Sequence, residues 1–199
     1  PLRILRTARF AARLAPMGFR VADETMALMR SMVAEGEVDH LVAERVWQET
    51  RRALHEQQPR VFFEVLADSG ALGVVMPELA TPDDVLESGL VALARTEGLS
   101  DATEVRYAAL VSGLDADRVQ AFSERLRVPN STRDIAVSAA ALPRWPQPLT
   151  PDWVEQLLEK ADAWRRPERF EQLLMVMEAC GLEARAVERV RDARARAAA

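Results

Sequence analysis

Apolar residues recur at helical spacing along almost the whole of this 199-residue chain. The single strand-like run, Gly73-Val74-Val75-Met76-Pro77, is too short and too isolated to build a sheet. The pattern predicts an all-α fold, an elongated multi-helix array. Helices are expected over 2–15, 23–34, 43–55, 60–69, 82–95, 102–112, 116–126, 131–141, 151–164, 167–180 and 182–196. Gly18, Gly36, Gly70 and Gly98 interrupt the periodicity where helices should stop, and Asp23 and Thr150 suit N-cap positions. Pro151 and Pro167 fall where a first helical turn tolerates a residue without an N–H.

The stretch Leu142-Pro143-Arg144-Trp145-Pro146-Gln147-Pro148-Leu149-Thr150-Pro151 cannot continue a helix and reads as a stiff connector. A weaker break falls near Glu78-Leu79-Ala80-Thr81-Pro82-Asp83-Asp84. The organisation expected is therefore a first helical region over 1–80, a second over 81–142, a Pro-rich connector over 143–151 and C-terminal helices over 152–199. Hydrophobic residues make up 49% of the chain, enough for a core, yet no apolar run approaches the ~18 residues of a membrane span. A lone Cys180 cannot close an internal disulfide, and no segment resembles a secretory signal, so a cytoplasmic location is expected with no membrane partner.

The charge is unevenly distributed. Residues 1–20 hold five arginines and no acid, so this segment stands at +5 in a chain of net charge −5. On a helical wheel Arg3, Arg6, Arg9 and Arg13 share an arc of about 120°, opposite Ile4, Leu5, Ala8, Ala11 and Ala12. One face should pack while the other presents positive charge to an anionic ligand or to solvent.

The spacing of these residues adds a family resemblance. Pro1-Leu2-Arg3-Ile4-Leu5-Arg6-Thr7-Ala8-Arg9-Phe10-Ala11-Ala12-Arg13 resembles the end of the Glu-Asp-x-x-Arg motif, and the helix after it, in class II tRNA nucleotidyltransferases, the CCA-adding enzyme and poly(A) polymerase family. Gly18-Phe19, Asp23 to Arg30, Glu44 to Thr50, Phe62 to Leu66 and Gly70 to Leu72 resemble the neck and body of that family. Further counterparts occur at Arg106 to Leu110, Leu126 to Asn130 and Asp162 to Pro167.

The resemblance implies that Arg3 and Arg6 contact the incoming CTP or ATP, Arg3 reading the Watson-Crick edge of its base. Arginine suits the task because its planar fork offers paired donors and stays charged at physiological pH. Arg9 and Arg13 either extend the cationic face towards RNA or form ion pairs with neighbouring helices. The motif's Glu and Asp would precede Pro1, so the chain is expected to be a piece of a longer protein. Its N-terminal head domain would hold the phosphate loop and the Asp-x-Asp that binds Mg2+. By this reading the chain has no catalytic residue and binds no metal itself. Its partners are tRNA, CTP, ATP and the head domain, with no role for DNA.

Longer family members carry a His-Asp metal-dependent phosphohydrolase domain. This chain has Ser112-Gly113 where the doublet is expected and only His40 and His55 in all, so 81–142 reads as a degenerate relative of that domain. His40 is expected in a loop, and His55 at a helix end, where a cation is favoured. Trp47 fits a core position. Trp164-Arg165-Arg166 reads as structural, with Asp162 and Glu168 as counter-ions, and the arginine-rich segment 185–196 could meet phosphates. The function expected is the C-terminal part of a tRNA nucleotidyltransferase acting in tRNA 3′-end maturation, not catalytic alone. The alternative is a non-catalytic helical adaptor on the same scaffold.

Overall fold

A computed structural model describes residues 1–198, and among them every regular element is helical. The α-helices are α1 (Leu2–Leu14), α2 (Asp23–Ala34), α3 (Ala43–Ala53), α4 (Pro59–Asp68), α5 (Leu72–Val75), α6 (Pro77–Ala80), α7 (Asp83–Arg95), α8 (Thr103–Leu110), α9 (Ala116–Arg125), α10 (Asn130–Ala140), α11 (Pro151–Lys160), α12 (Pro167–Ala179) and α13 (Ala184–Ala197). Two short 3-10 segments, Ala15–Met17 and Glu37–His40, follow α1 and α2.

α1 lies against α3 and α4, and α8 is enclosed by α7, α10 and α12. Besides a small cluster of Ala92, Ala109 and Ala179, one large cluster of buried apolar side chains runs through the chain from Ile4 to Val190. Tyr107 on α8 sits at its middle. Its ring meets Trp47 edge-on at 5.3 Å, and its hydroxyl lies 2.9 Å from Ser123 Oγ on α9. Trp47 is thus a packing residue, as its sequence context suggests.

Local chemistry explains where the elements depart from expectation. The strand-like run is helical, divided into α5 and α6 at Met76 (φ −140°, ψ 59°). Pro77 drives the residue before it out of the α region, so one short apolar run becomes two single turns. α1 stops at Leu14 because Pro16 has no N–H to give the carbonyl four residues back. That carbonyl, on Ala12, instead accepts the Gln58 N–H at 3.1 Å and ties the end of α1 to the α3–α4 loop. Asp23 is the first residue of α2 and not its cap; Ala22 holds the cap position, and Asp23 and Glu24 lie at the positive end of the helix dipole. Thr150 does cap α11, accepting the Trp153 N–H, and Asp115 caps α9 in the same way.

α7 and α8 cross at close range. A Cβ on buried Gly89 would stand 2.0 Å from the Leu110 carbonyl oxygen, and one on Gly113 would stand 2.8 Å from Ser88 Oγ. Gly113 is therefore a packing residue at the end of α8.

Candidate functional site

The apolar face of α1 is fully committed to packing. Ile4, Leu5, Ala8 and Ala12 have no exposed surface and Ala11 retains 8%. The opposite face divides along its length.

Arg3 is exposed, and among the described residues it has no ion-pair or hydrogen-bond partner. The Arg6 side chain is 55% exposed, with its Nε 3.9 Å from Glu49 Oε1. Two turns further on, the arginines are taken up by α3 and the turn after it. Arg9 is buried, donating through Nε to Glu49 Oε2 at 2.7 Å and through Nη1 to Glu56 Oε1 at 3.3 Å. Arg13 donates to both Glu56 oxygens at 3.1 Å. Burial alone would lower the Arg9 pKa, but the hydrogen bonds and charges of Glu49 and Glu56 outweigh it and leave a net upward shift. Arg9 and Arg13 both form ion pairs, Arg9 as a buried side chain and Arg13 with half of its side chain still exposed.

Glu49 and Glu56 were not identified as site residues from sequence. Glu49 lies on α3 and Glu56 in the turn after it, so no helical spacing links the two in the sequence. The signal was in Arg9: on the wheel it stands only about 40° beyond Leu5, at the border of the apolar face.

Phe10 is 45% exposed, and the guanidinium groups of Arg9 and Arg13 lie 4.8 and 5.5 Å from its ring centre. Phe10 and Arg13 form one wall of an open groove of about 670 Å3, and Arg51, Arg52 and His55 form the other. The groove gathers cations from two helices beside an accessible aromatic ring, which suits a phosphate backbone or a nucleobase better than an apolar ligand.

His55 lies beyond the end of α3, its Nε2 2.9 Å from Thr103 Oγ1. Its pKa is lowered, first by loss of solvent and then by Arg106 and Arg51, so the cation expected at this helix end is disfavoured. His40 is exposed at the end of a 3-10 turn. Cys180 is partly buried, and burial pushes its thiol pKa up, against the opposing influence of Ser112 and Arg95. It has none of the marks of an activated nucleophile.

Arg165 and Arg166 are exposed and form no ion pair with Asp162 or Glu168; Arg169 binds Asp134 at 2.7 Å instead. On α13, Arg191 is held by Glu171 and Glu188, and Arg194 by the Ala163 carbonyl, which leaves Arg185, Arg189 and Arg196 exposed. Among the described residues no group of three or more His, Cys, Asp or Glu is placed to hold a metal ion. No metal-dependent step is assigned to these residues. None of the described helices is long and apolar enough to cross a membrane.

Residues 18–81 match the family described as the probable RNA- and SrmB-binding site of polymerase A. The CCA-adding enzyme of Marinobacter nauticus is 49% identical over 191 residues, which cover 92% of this chain and 50% of that protein. The multifunctional CCA protein of Thioalkalivibrio sulfidiphilus is 46% identical, over 90% of this chain and 52% of its own length. The chain thus spans about half the length of the curated relatives it matches. Two solved structures share the fold at 20% identity, each over 96% of this chain and 52% of its own: a tRNA-processing enzyme complex (TM-score 0.66) and a tRNA-processing enzyme with CTP (TM-score 0.64).

Proposed function

The chain belongs to the CCA-adding enzyme family, and from that premise we propose that it supplies nucleotide-selecting arginines and tRNA-holding surface to a tRNA nucleotidyltransferase. In this reading the intact protein builds or repairs the tRNA 3′ end from CTP and ATP. Catalysis and Mg2+ belong to a head domain outside this chain.

The observation that carries the reading is the exposure of Arg3 and Arg6 on the first two turns of α1, while Arg9 is buried against Glu49 behind them and Arg13 keeps half of its side chain exposed. An uncommitted guanidinium can present two parallel N–H groups to the edge of a base, and hydrogen bonds to a charged donor contribute about 1.5–3 kcal/mol. The apolar face holds the helix in place, so the backbone that carries these donors is fixed before the ligand arrives. We assign the groove between α1 and α3 to the RNA, through Arg13, Arg51 and Arg52 and through stacking on Phe10. Residues 1–80 would form this nucleotide- and RNA-facing unit, and 81–142 a degenerate phosphohydrolase-like tail. Residues 143–151 would join that tail to the C-terminal helices of 152–199.

Steady-state incorporation of CTP and ATP by the intact protein, with and without Arg3→Ala, tests the reading. Loss with both nucleotides is expected, because both bases are read by the same side chain. Unchanged kinetics with both would overturn it.

A further inference from the structure

The Glu49 carboxylate is only 3% exposed, yet it stands among three guanidinium groups. Its Oε2 accepts Arg9 Nε at 2.7 Å, and its Oε1 lies 3.5 Å from Arg52 Nη1 and 3.9 Å from Arg6 Nε. The last two separations exceed an ordinary N–H···O hydrogen bond of about 2.7–3.2 Å, so they are electrostatic contacts without a directional bond.

We propose that Glu49 is a positioning residue for nucleotide selection, acting through Arg6. The inference rests on the assignment of Arg6 to the nucleotide site, and it has two physical grounds.

The first is register. Ile4 and Leu5 pack the start of α1 and the smaller Ala8, Ala11 and Ala12 the rest, and apolar contacts of this kind are not directional. A buried, hydrogen-bonded ion pair is directional. The Arg9–Glu49 bond therefore fixes the angle of α1 against α3, and with it the direction in which Arg6, one turn earlier, projects.

The second is the edge of Arg6 that Glu49 faces. The nearest nitrogen is Nε, and among the described residues neither terminal nitrogen has a partner. A negative charge on the Nε side orients the guanidinium and leaves the Nη1/Nη2 edge free. That edge carries parallel donors for a base or a phosphate. A shorter contact would immobilise Arg6 as Arg9 is immobilised; no contact at all would leave a long side chain to be ordered at the moment of binding.

The experiment is a double-mutant cycle in the intact protein, comparing wild type, Glu49→Gln, Arg6→Ala and the double variant. For each, kcat/KM is measured with CTP and ATP, incorporation of UTP and GTP is followed as a measure of selection, and Tm is recorded. Glutamine keeps the length and an acceptor for Arg9 while removing the charge, so this variant is expected to fold. Glu49→Gln should lower kcat/KM about tenfold for both correct nucleotides and narrow their margin over UTP and GTP. In the Arg6→Ala background the same substitution should change kcat/KM by less than about twofold, because the group it acts through is gone. Equal losses in both backgrounds, or a wild-type kinetic profile for Glu49→Gln, would overturn the role of Glu49. If Arg6→Ala itself behaves as wild type, the nucleotide assignment fails instead, and the two failures are distinguishable.

Discussion

The junction of α1 with α3 and the junction of α7 with α8 solve the same packing problem by different means. At the first, buried Arg9 and Glu49 meet in a hydrogen-bonded ion pair. At the second, Gly89 lets the backbone of α8 approach so closely that no side chain fits between. Charge buried at a helix contact is costly to desolvate and is stabilising only with a partner, whereas close backbone contact adds packing without that cost. The costly solution occurs beside the exposed arginines proposed to read nucleotides. The α7–α8 contact ends at Ser112-Gly113, two residues that offer no metal ligand pair. The ion pair is directional and fixes the orientation of α1 against α3, whereas the α7–α8 contact fixes only a close distance.

The strongest way to break this contrast is to remove one partner of the ion pair. Glu49→Ala leaves Arg9 buried with Glu56 as its remaining acceptor, and the expected loss in urea unfolding is about 3–5 kcal/mol. Adding Arg9→Met to that variant should recover most of the loss, since an apolar side chain of similar volume carries no unpaired charge. The matching test at the other junction is Gly89→Ala. Its Cβ would collide with the Leu110 carbonyl oxygen at 2.0 Å, so the expected destabilisation is about 3 kcal/mol. No second substitution on α7 is expected to rescue it, because the obstacle is backbone.

A smaller effect should follow at Arg13. Half of its side chain is exposed while it pairs with Glu56, so Arg13→Ala should cost under about 1 kcal/mol of stability. The smallest concerns pH. Because the folded chain holds His55 below its ordinary value of 6.5, the unfolded chain binds the proton more readily. Stability should therefore fall slightly as pH drops through 6.5 towards the folded value, and His55→Gln should flatten that slope in unfolding measured across the range.

Much of this fold was legible in the sequence because it is written locally. Gly18, Gly36, Gly70 and Gly98 all adopt positive φ where the periodicity breaks, and Thr150 caps the helix it precedes. The two short helices not expected around Gly73–Pro77 have a local cause as well: a short apolar run suits a strand or a buried helical turn, and Pro77 decides for two turns. The site was only half legible. Arg3 and Arg6 lie in a motif, but the partner of Arg9 is 40 residues away, and no local pattern pairs an arginine with a particular glutamate at that distance. Glu49 looks like any polar position on an amphipathic helix until α3 is laid against α1. The pairing of Arg169 with Asp134, in preference to Arg165 with its sequence neighbours, shows the same limit.

The proposed division of α1 into a nucleotide-facing start and a structural end can be tested with one variant in the intact protein. Arg3→Ala should reduce kcat/KM for both CTP and ATP by a factor corresponding to about 1–3 kcal/mol, roughly tenfold or more, while the unfolding midpoint stays that of the wild type. Wild-type incorporation of both nucleotides, or a kinetic loss that merely follows a lowered midpoint, would contradict it.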